Sequence, residues 1–300
     1  MTNETRTLLF ALLALALWYI VRWMLLERRK PAPGSAKVGM AELLIGFVCT
    51  FFDTLGIGNF ATTTATFKFR GRPADEDIPG TLNAGYALTT VVEALIFIAA
   101  VRVDVTTLVG MIAASMLGAW LGAGIVGRLS RRAIQIGMGL ALFVAASVML
   151  ANNLNLMPGG GEALGLTDGK LAFAIGVNFI LGVLMTVGVG LYAPCLILVS
   201  LLGMSPRAGF PIMMGACAFL MPVAGVRFIH RGRYDLRAAL SLTLGGIPGV
   251  FIAAYIVKDL PLQWLRWLVV IVVLYASTLM LLSAVRSRAG AVSVSSSGPA

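Results

Sequence analysis

The chain has 300 residues, of which 59% are hydrophobic and 12% charged, and its mean hydropathy is +0.92. Soluble domains carry about a quarter of their residues as charged side chains, so this composition excludes a soluble fold and indicates a multi-pass membrane protein. The net charge of +10 predicts cytoplasmic loops of a cell inner-membrane protein and does not indicate nucleic-acid binding.

Rare residue types exclude further classes of site. The three cysteines all lie in apolar stretches, so no disulfide framework is indicated. The single histidine, His230, makes a metal site and histidine-dependent catalysis implausible. We therefore expect no metal and no cofactor.

Nine apolar segments follow one another along the chain. Most have the roughly 20 residues that a helix needs to cross a bilayer, but two are too long for one straight span. The first segment is followed by Glu27-Arg28-Arg29-Lys30, which favours a retained anchor helix over a cleaved signal peptide. The nine segments are 7–26, 40–67, 82–101, 105–127, 132–151, 171–203, 207–226, 238–257 and 262–283.

An internal repeat divides the main body. Gly56-Ile57-Gly58 in the first long segment matches Gly188-Val189-Gly190 in the second, and residues 102–129 align without gaps on residues 233–260. The resulting organisation is an anchor helix and linker (1–39), a first repeat (40–151), an external loop (152–170), a second repeat (171–285) and a disordered cytoplasmic tail (286–300). Internal duplication of this kind is typical of transporters and channels.

The basic residues predict the topology of the two halves. They fall on one side of the membrane only if each long segment enters, breaks at its glycines and returns to the side it came from. The predicted fold is therefore all-α, with two inverted repeats, each made of a broken re-entrant hairpin and three spanning helices, behind one extra N-terminal helix. The N-terminus is then outside and the C-terminus inside.

The glycine pairs have a functional and a structural interpretation. A broken helix within a membrane frees backbone groups that must line a cavity or be buried in protein, and a new helix N-terminus attracts anions. Two such breaks meeting near the midplane would form an anion site. Alternatively, the glycines only permit close helix packing, as we expect for Gly118 and Gly249.

The pattern of an apolar helix, a Gly-Ile-Gly or Gly-Val-Gly triplet and a second short apolar helix, once in each half, resembles the TauE/SafE sulfite exporter family, also called the 4-toluene sulfonate uptake family. The second half is most similar, through Gly182–Leu202, Ser205-Pro206-Arg207-Ala208 and Gly245-Gly246-Ile247-Pro248-Gly249. The resemblance covers residues 40–285, without the first helix or the tail. It implies a permease for small sulfur-containing or organic anions such as sulfite, sulfoacetate and sulfonates.

Polar residues in and near the two breaks are the candidates for the site. Asp53 and Glu93 are acids within apolar segments, so each is a candidate for proton coupling, or else a structural partner of local hydroxyls such as Thr54. The candidates for substrate binding are Gly56, Gly58, Asn59, Thr62, Thr63, Asn83, Gly188, Gly190, Tyr192, Pro194 and Cys195.

These residues bear on three classes of function. A secondary transporter for a small anion suits the paired breaks and the buried acids, and an anion or small-solute channel is the alternative. An intramembrane serine protease would need a histidine beside its nucleophile, but His230 lies in a basic cytoplasmic loop, and an aspartyl protease would need a second aspartate paired with Asp53. No phosphate-binding loop is present either, so an enzyme is not predicted. The expected partners are the anionic substrate and the lipid bilayer, with assembly into a homo-oligomer left open.

Overall fold

The computed structural model describes most of the chain. The continuous stretches are residues 3–29, 37–56, 58–74, 76–125, 161–185 and 191–258, and isolated positions are described between 136 and 154 and between 261 and 282. The predicted segments 132–151 and 262–283 are therefore described only at separate positions, and the predicted tail lies outside the described residues.

Helices account for nearly all of the described structure, which confirms the all-α prediction. Outside them, the described residues form turns and one isolated bridge between Ala163 and Met204. The helices are α1 (Asn3–Arg28), α2 (Met40–Thr54), α3 (Asn59–Arg70), α4 (Ile78–Ala100), α5 (Val105–Ile125), α6 (Asp168–Met185), α7 (Tyr192–Leu201), α8 (Pro206–His230) and α9 (Leu236–Lys258).

Five of the described helices are long and apolar enough to cross a membrane: α1, α4, α6, α8 and α9. This result supports the multi-pass architecture predicted from composition. Their exposed surfaces are apolar, and Phe10 of α1, Phe173 of α6 and Phe251 of α9 are each more than half exposed. Such a surface is stable only when hydrocarbon covers it.

The first long apolar segment is interrupted where the glycines predicted it. Helix α2 ends at Thr54 and α3 begins at Asn59, and between them Gly56 has a φ of +97° and Gly58 a φ of +84°. Side chains with a Cβ rarely adopt such angles, which is why glycine is needed there. In the second half α6 ends at Met185 and α7 begins at Tyr192, but Gly188 and Gly190 lie outside the described residues.

Polar contacts join the outer ends of each interrupted pair. In the first half, Arg70 at the end of α3 lies 3.6 Å from the carboxylate of Glu42 at the start of α2. In the second half, Lys170 at the start of α6 donates a 3.2 Å hydrogen bond to the carbonyl of Leu202, just beyond α7. In each pair, therefore, the entry to the first helix is close to the exit from the second.

The two pairs have their outer ends at opposite ends of α4. The loop that leads from α3 into α4 contains Glu76, which accepts a 3.1 Å ion pair from Arg233. Beyond the other end of α4, Asp104 donates its N–H to the carbonyl of Leu164, in the turn before α6. Since α4 has 23 residues, about 34 Å separates these ends.

Helices of one half pack closely on helices of the other through glycine. A Cβ placed on Gly118 of α5 would lie 2.0 Å from the carbonyl oxygen of Phe179 in α6, and one on Gly249 of α9 would lie 2.6 Å from that of Phe47 in α2. Phe47 and Phe179 occupy matching positions in the two halves, as do Gly118 and Gly249. The same close contact thus occurs twice.

Two aspartates repeat a second contact. Asp104 accepts the N–H of Thr107 at 2.8 Å, and Asp235 accepts the N–H of Ala238 at 2.7 Å. Both side chains thereby satisfy a free donor in the first turn of a helix. Asp104 and Asp235 are also matched positions of the repeat, so the sequence identity between them has a structural cause.

Helix α1 is attached to this body by a few polar contacts. The Tyr19 hydroxyl donates to the carbonyl of Ala84 at 2.8 Å, and Trp23 Nε1 donates to the Tyr234 hydroxyl at 3.0 Å. Burial raises the pKa of Tyr234, which lies in the loop between α8 and α9, so its phenol stays protonated. It can therefore donate in turn to Glu27.

The close contacts predict which glycines are needed for stability. Gly118→Ala and Gly249→Ala should each destabilise the protein by about 1–3 kcal/mol, because the added methyl group would push against a carbonyl oxygen. Gly176→Ala in α6 is the matched control, since a Cβ there meets no described atom within 4 Å. Thermal unfolding in detergent measures all three, and equal stability of the three variants would contradict this role.

Candidate functional site

One face of α4 carries polar side chains into the protein interior. Tyr86, Thr90 and Glu93 follow one another at spacings of four and three residues, which places them on the same side of a helix. All three are buried, and Glu93 has no exposed surface. The face therefore presents a carboxyl group deep within the apolar bundle.

Glu93 connects the two interrupted helix pairs. Its Oε1 lies 2.8 Å from the hydroxyl of Thr54, the last residue of α2, and its Oε2 accepts a 2.9 Å hydrogen bond from the hydroxyl of Tyr192, the first residue of α7. Tyr192 is 99 residues away from Glu93 in the chain. The carboxyl group thus bridges the first interruption to the second.

The side chain of Asp53, a residue of α2, binds the N-terminus of α3. Its Oδ1 accepts the backbone N–H of Asn59 at 2.9 Å, and its Oδ2 accepts the Asn59 side-chain amide at 2.7 Å. Only 2% of Asp53 is exposed. The sequence left open a structural role for Asp53 with local hydroxyls such as Thr54. The described partner of Asp53 is Asn59, whereas Thr54 contacts Glu93.

The described partners of these two acids bear no positive charge. They are two hydroxyls for Glu93 and the amide groups of Asn59 for Asp53. A carboxylate at this depth without a counter-ion costs several kcal/mol. Within the described residues, no group of three His, Cys, Asp or Glu side chains is placed to hold a metal ion.

Residues of the second half enclose the first interruption. A Cβ on Gly56 would lie 3.5 Å from Leu196 of α7, 3.7 Å from Met213 and 3.9 Å from Phe210 of α8. Phe210 also stacks on Phe97 of α4 at a centroid distance of 5.3 Å. These apolar side chains separate the acids from the lipid and from water.

Space remains on the other side of the interruption, beside Gly58. No described atom lies within 4 Å of a Cβ built on this residue, which is the N-cap of α3. A helix N-terminus is suitable for binding an anion, because it presents free N–H groups and a partial positive charge. Asn59 contributes its own N–H to Asp53 in this conformation, so an anion at this N-terminus would have to use the other N–H groups of the first turn.

The other predicted site residues are distributed unevenly. Thr63 is buried and shares a 2.8 Å hydrogen bond with Tyr86, close to the acids. Thr62 bonds to the carbonyl of Asn59 within its own helix. Asn83 bonds to the carbonyl of Pro79 and lies ten residues before Glu93, about 15 Å along α4, so the structure does not bring it to the site.

The second half contributes the first turn of α7. Pro194 and Cys195 are both buried there, directly after Tyr192. The Cys195 N–H bonds to the carbonyl of Leu191. Gly188 and Gly190 lie outside the described residues, so their contacts with the other candidates stay a prediction.

Three buried polar residues were not anticipated from sequence, and two of them, Tyr86 and Thr50, bond to Thr63 and Thr54 near the acids. Tyr86 could have been found from its spacing to Glu93 on α4. Thr50 in α2 is fully buried, and its hydroxyl has no hydrogen-bond partner among the described residues. Asn178 in α6 donates to the carbonyl of Met111 at 2.6 Å, while its own oxygen has no described partner. No periodicity distinguishes a single threonine or asparagine of this kind.

The apolar helices, the interrupted pairs and the buried polar cluster are those of a multi-pass membrane protein. The family model described as "Sulfite exporter TauE/SafE" matches residues 2–149 and 171–299. The chain therefore belongs to the TauE/SafE family of membrane permeases. The match includes the first helix and the tail, so the narrower limits of 40–285 drawn from the motifs were wrong. Comparison with curated proteins and with solved structures gave no match.

Proposed function

We propose that the protein is a secondary transporter for a small sulfur-containing or organic anion, such as sulfite, sulfoacetate or a sulfonate. The anion binds near the bilayer midplane, between the first turns of α3 and α7. The observation that carries this proposal is the bridge from Thr54 through Glu93 to Tyr192, because it brings the two interruptions together at one buried place. Family membership supports the class of substrate.

The contacts at the outer ends support two re-entrant hairpins of opposite orientation. Glu42 with Arg70, and Lys170 with Leu202, are what two hairpins returning to their side of entry would produce. Their positions at opposite ends of α4 favour inverted halves. The repeated Gly118–Phe179 and Gly249–Phe47 contacts favour the same arrangement. The proposed repeats are 40–151 and 171–285, in the inner membrane.

Hydrogen-bond counting supports a protonated Glu93. The Thr54 hydroxyl lies 2.9 Å from the carbonyl of Thr50 and 2.8 Å from Glu93 Oε1, yet it has one proton to donate. The two contacts are both full two-centre hydrogen bonds when Thr54 donates to Thr50 and the carboxylic acid of Glu93 donates to Thr54; with an ionised Glu93 the single Thr54 proton would have to be shared between them. Tyr192 then donates to the remaining oxygen. The neutral acid is fully satisfied in this arrangement.

A neutral acid also fits the proposed substrate. An anion close to two carboxylates would be repelled, so it binds well only when these carboxyl groups carry protons. Proton and anion binding are therefore linked, which is the basis of proton-coupled transport through Glu93, Asp53 or both. The enclosed position of both acids favours a carrier over an open channel, since a pore needs no occluded titratable group.

The acids predict a pH-dependent affinity. In the wild-type protein, anion affinity should fall by up to about tenfold per pH unit above the titration point of the coupled acid. Glu93→Gln keeps a donor for Thr54 and an acceptor for Tyr192, so it should retain affinity and anion exchange but lose pH-driven uptake. Sulfite binding and proteoliposome uptake, measured from pH 5 to 9, test this.

Asp53→Asn tests the second acid in the same way, and Glu76→Gln, in the loop before α4, is the control for loss of a carboxyl group. If both acid variants kept the wild-type pH profile, proton coupling through these residues would be excluded. Transport itself could still be measured, so the anion-carrier proposal would be judged separately.

The glycine positions predict where the anion binds. Gly58→Val places a side chain in the open space beside α3 and strains a backbone with φ of +84°, so anion affinity should fall by about tenfold or more. Gly190→Val should act alike in the second half. Gly71→Val is a matched control, because Gly71 also has a positive φ and open space but lies at the far end of α3.

Titration calorimetry with sulfite, set beside thermal unfolding, separates these effects. Equal affinity of Gly58→Val, Gly190→Val and Gly71→Val would place the anion elsewhere. A loss of stability common to all three, without a difference in affinity, would indicate that the interruptions are architectural only.

The hairpins predict which loops share a side of the membrane. The native cysteines are all buried, so a cysteine introduced by Glu76→Cys or Glu162→Cys can be labelled selectively. A membrane-impermeant maleimide should label the two variants from opposite faces, with Glu76→Cys on the cytoplasmic side. Labelling of both from the same face would refute the inverted hairpins.

A further inference from the structure

A basic cavity lies between α1 and α8, apart from the proposed anion site. It has a volume of about 340 Å³ and is lined by Arg22, Val226, Arg227, His230 and Arg231. Arg22 projects from α1, and the other residues belong to the last turns of α8 and its C-cap. Met213, which packs near Gly56, is 14 residues before Arg227, or about 21 Å along α8. The cavity is therefore a separate feature.

Among the described residues, no acidic side chain neutralises the positive charge of this cavity. Three arginines and a histidine line it, none of the described lining residues is acidic, and no described residue pairs with these four side chains. Nearby acids are already engaged, because Glu27 accepts from Tyr234 and Glu76 pairs with Arg233. A helix C-terminus attracts cations, which accounts for Arg227 and His230 but not for Arg22 on another helix.

Close contacts on one side of the cavity fix its shape. Tyr19 of α1 lies against Gly225 of α8, where a Cβ would be 3.2 Å from the tyrosine ring. Trp23 bonds to Tyr234, on the next element of the chain. Arg22 lies between these two anchoring residues in sequence, so its backbone is held at a constant distance from α8.

The other side of the cavity opens toward lipid. Trp18 lies one turn before Arg22 on the same face of α1, and Val223 lies one turn before Arg227 on α8; these two apolar side chains are 40% and 39% exposed. A strip of apolar surface thus runs directly from the cluster of arginines toward the bilayer core. Arg22 is six residues, about 9 Å, before the end of α1, which corresponds to headgroup depth.

We propose that this cavity binds the phosphate of an anionic phospholipid. Guanidinium groups form paired, charge-assisted hydrogen bonds to phosphate oxygens, and basic pockets between transmembrane helices on the cytoplasmic side accommodate lipid headgroups. The acyl chains lie along Trp18 and Val223. The lipid thereby fastens α1, which otherwise has few polar contacts, to the main body.

Full-length protein purified in detergent is titrated with short-chain phosphatidylglycerol, phosphatidylcholine or inorganic phosphate. Wild-type protein should bind phosphatidylglycerol at least about tenfold more tightly than phosphatidylcholine, and R22Q/R227Q should lose this preference. The matched control is R28Q/R29Q, which removes the same two charges from the same end of α1 but outside the cavity, and it should bind as the wild type does.

Several outcomes would overturn the proposal. Equal weakening by R22Q/R227Q and R28Q/R29Q would indicate attraction by overall charge and no defined site. Unchanged phosphatidylglycerol binding by R22Q/R227Q would exclude these arginines. Tight binding of inorganic phosphate, abolished by R22Q/R227Q and without preference between the lipids, would assign the cavity to a soluble phosphate. Native mass spectrometry counts bound lipids independently and keeps the test valid if a variant is less stable.

Discussion

The bilayer core offers no hydrogen bonds, so polar groups exposed by the interruption between α2 and α3 must find partners in the protein. Asp53 meets this requirement by accepting both the backbone and side-chain N–H groups of Asn59. The side-chain hydroxyl of Thr54, at the end of α2, contacts both the Thr50 carbonyl and Glu93. Asp53 therefore lies where the backbone of the broken helix needs a hydrogen-bond acceptor. The candidate site forms around this interruption.

A second constraint is the distance between helices from different halves. Gly249 lets α9 approach the carbonyl of Phe47 in α2, and Gly118 lets α5 approach that of Phe179 in α6. Each pair takes one helix from either half, so the halves interlock and do not fold as separate layers. This packing does not involve Asp53 or Glu93. The chain therefore uses glycine for two purposes, close packing of helices and positive φ angles at the interruption.

The proposed transport function requires contacts between the halves that can break and form again. The Glu93–Tyr192 hydrogen bond crosses between the halves, and both residues are enclosed by protein. In the proposed transport cycle, access of an anion from either side would require the first turns of α3 and α7 to separate, which would open the same contact. The basic cavity between α1 and α8 lies apart from the proposed anion site, so a lipid bound there would stabilise the bundle without blocking the substrate.

Composition and segment length by themselves determined that the chain is helical and crosses a membrane repeatedly, because hydrocarbon solvent imposes both properties on any sequence of this kind. The glycine triplet also located the interruption at Gly56–Gly58, since few other residues adopt those backbone angles. The partners of Asp53 and Glu93 were not predictable. Tyr192 reaches Glu93 across 99 residues of chain, and only the packing of the two halves decides which buried hydroxyl faces which acid.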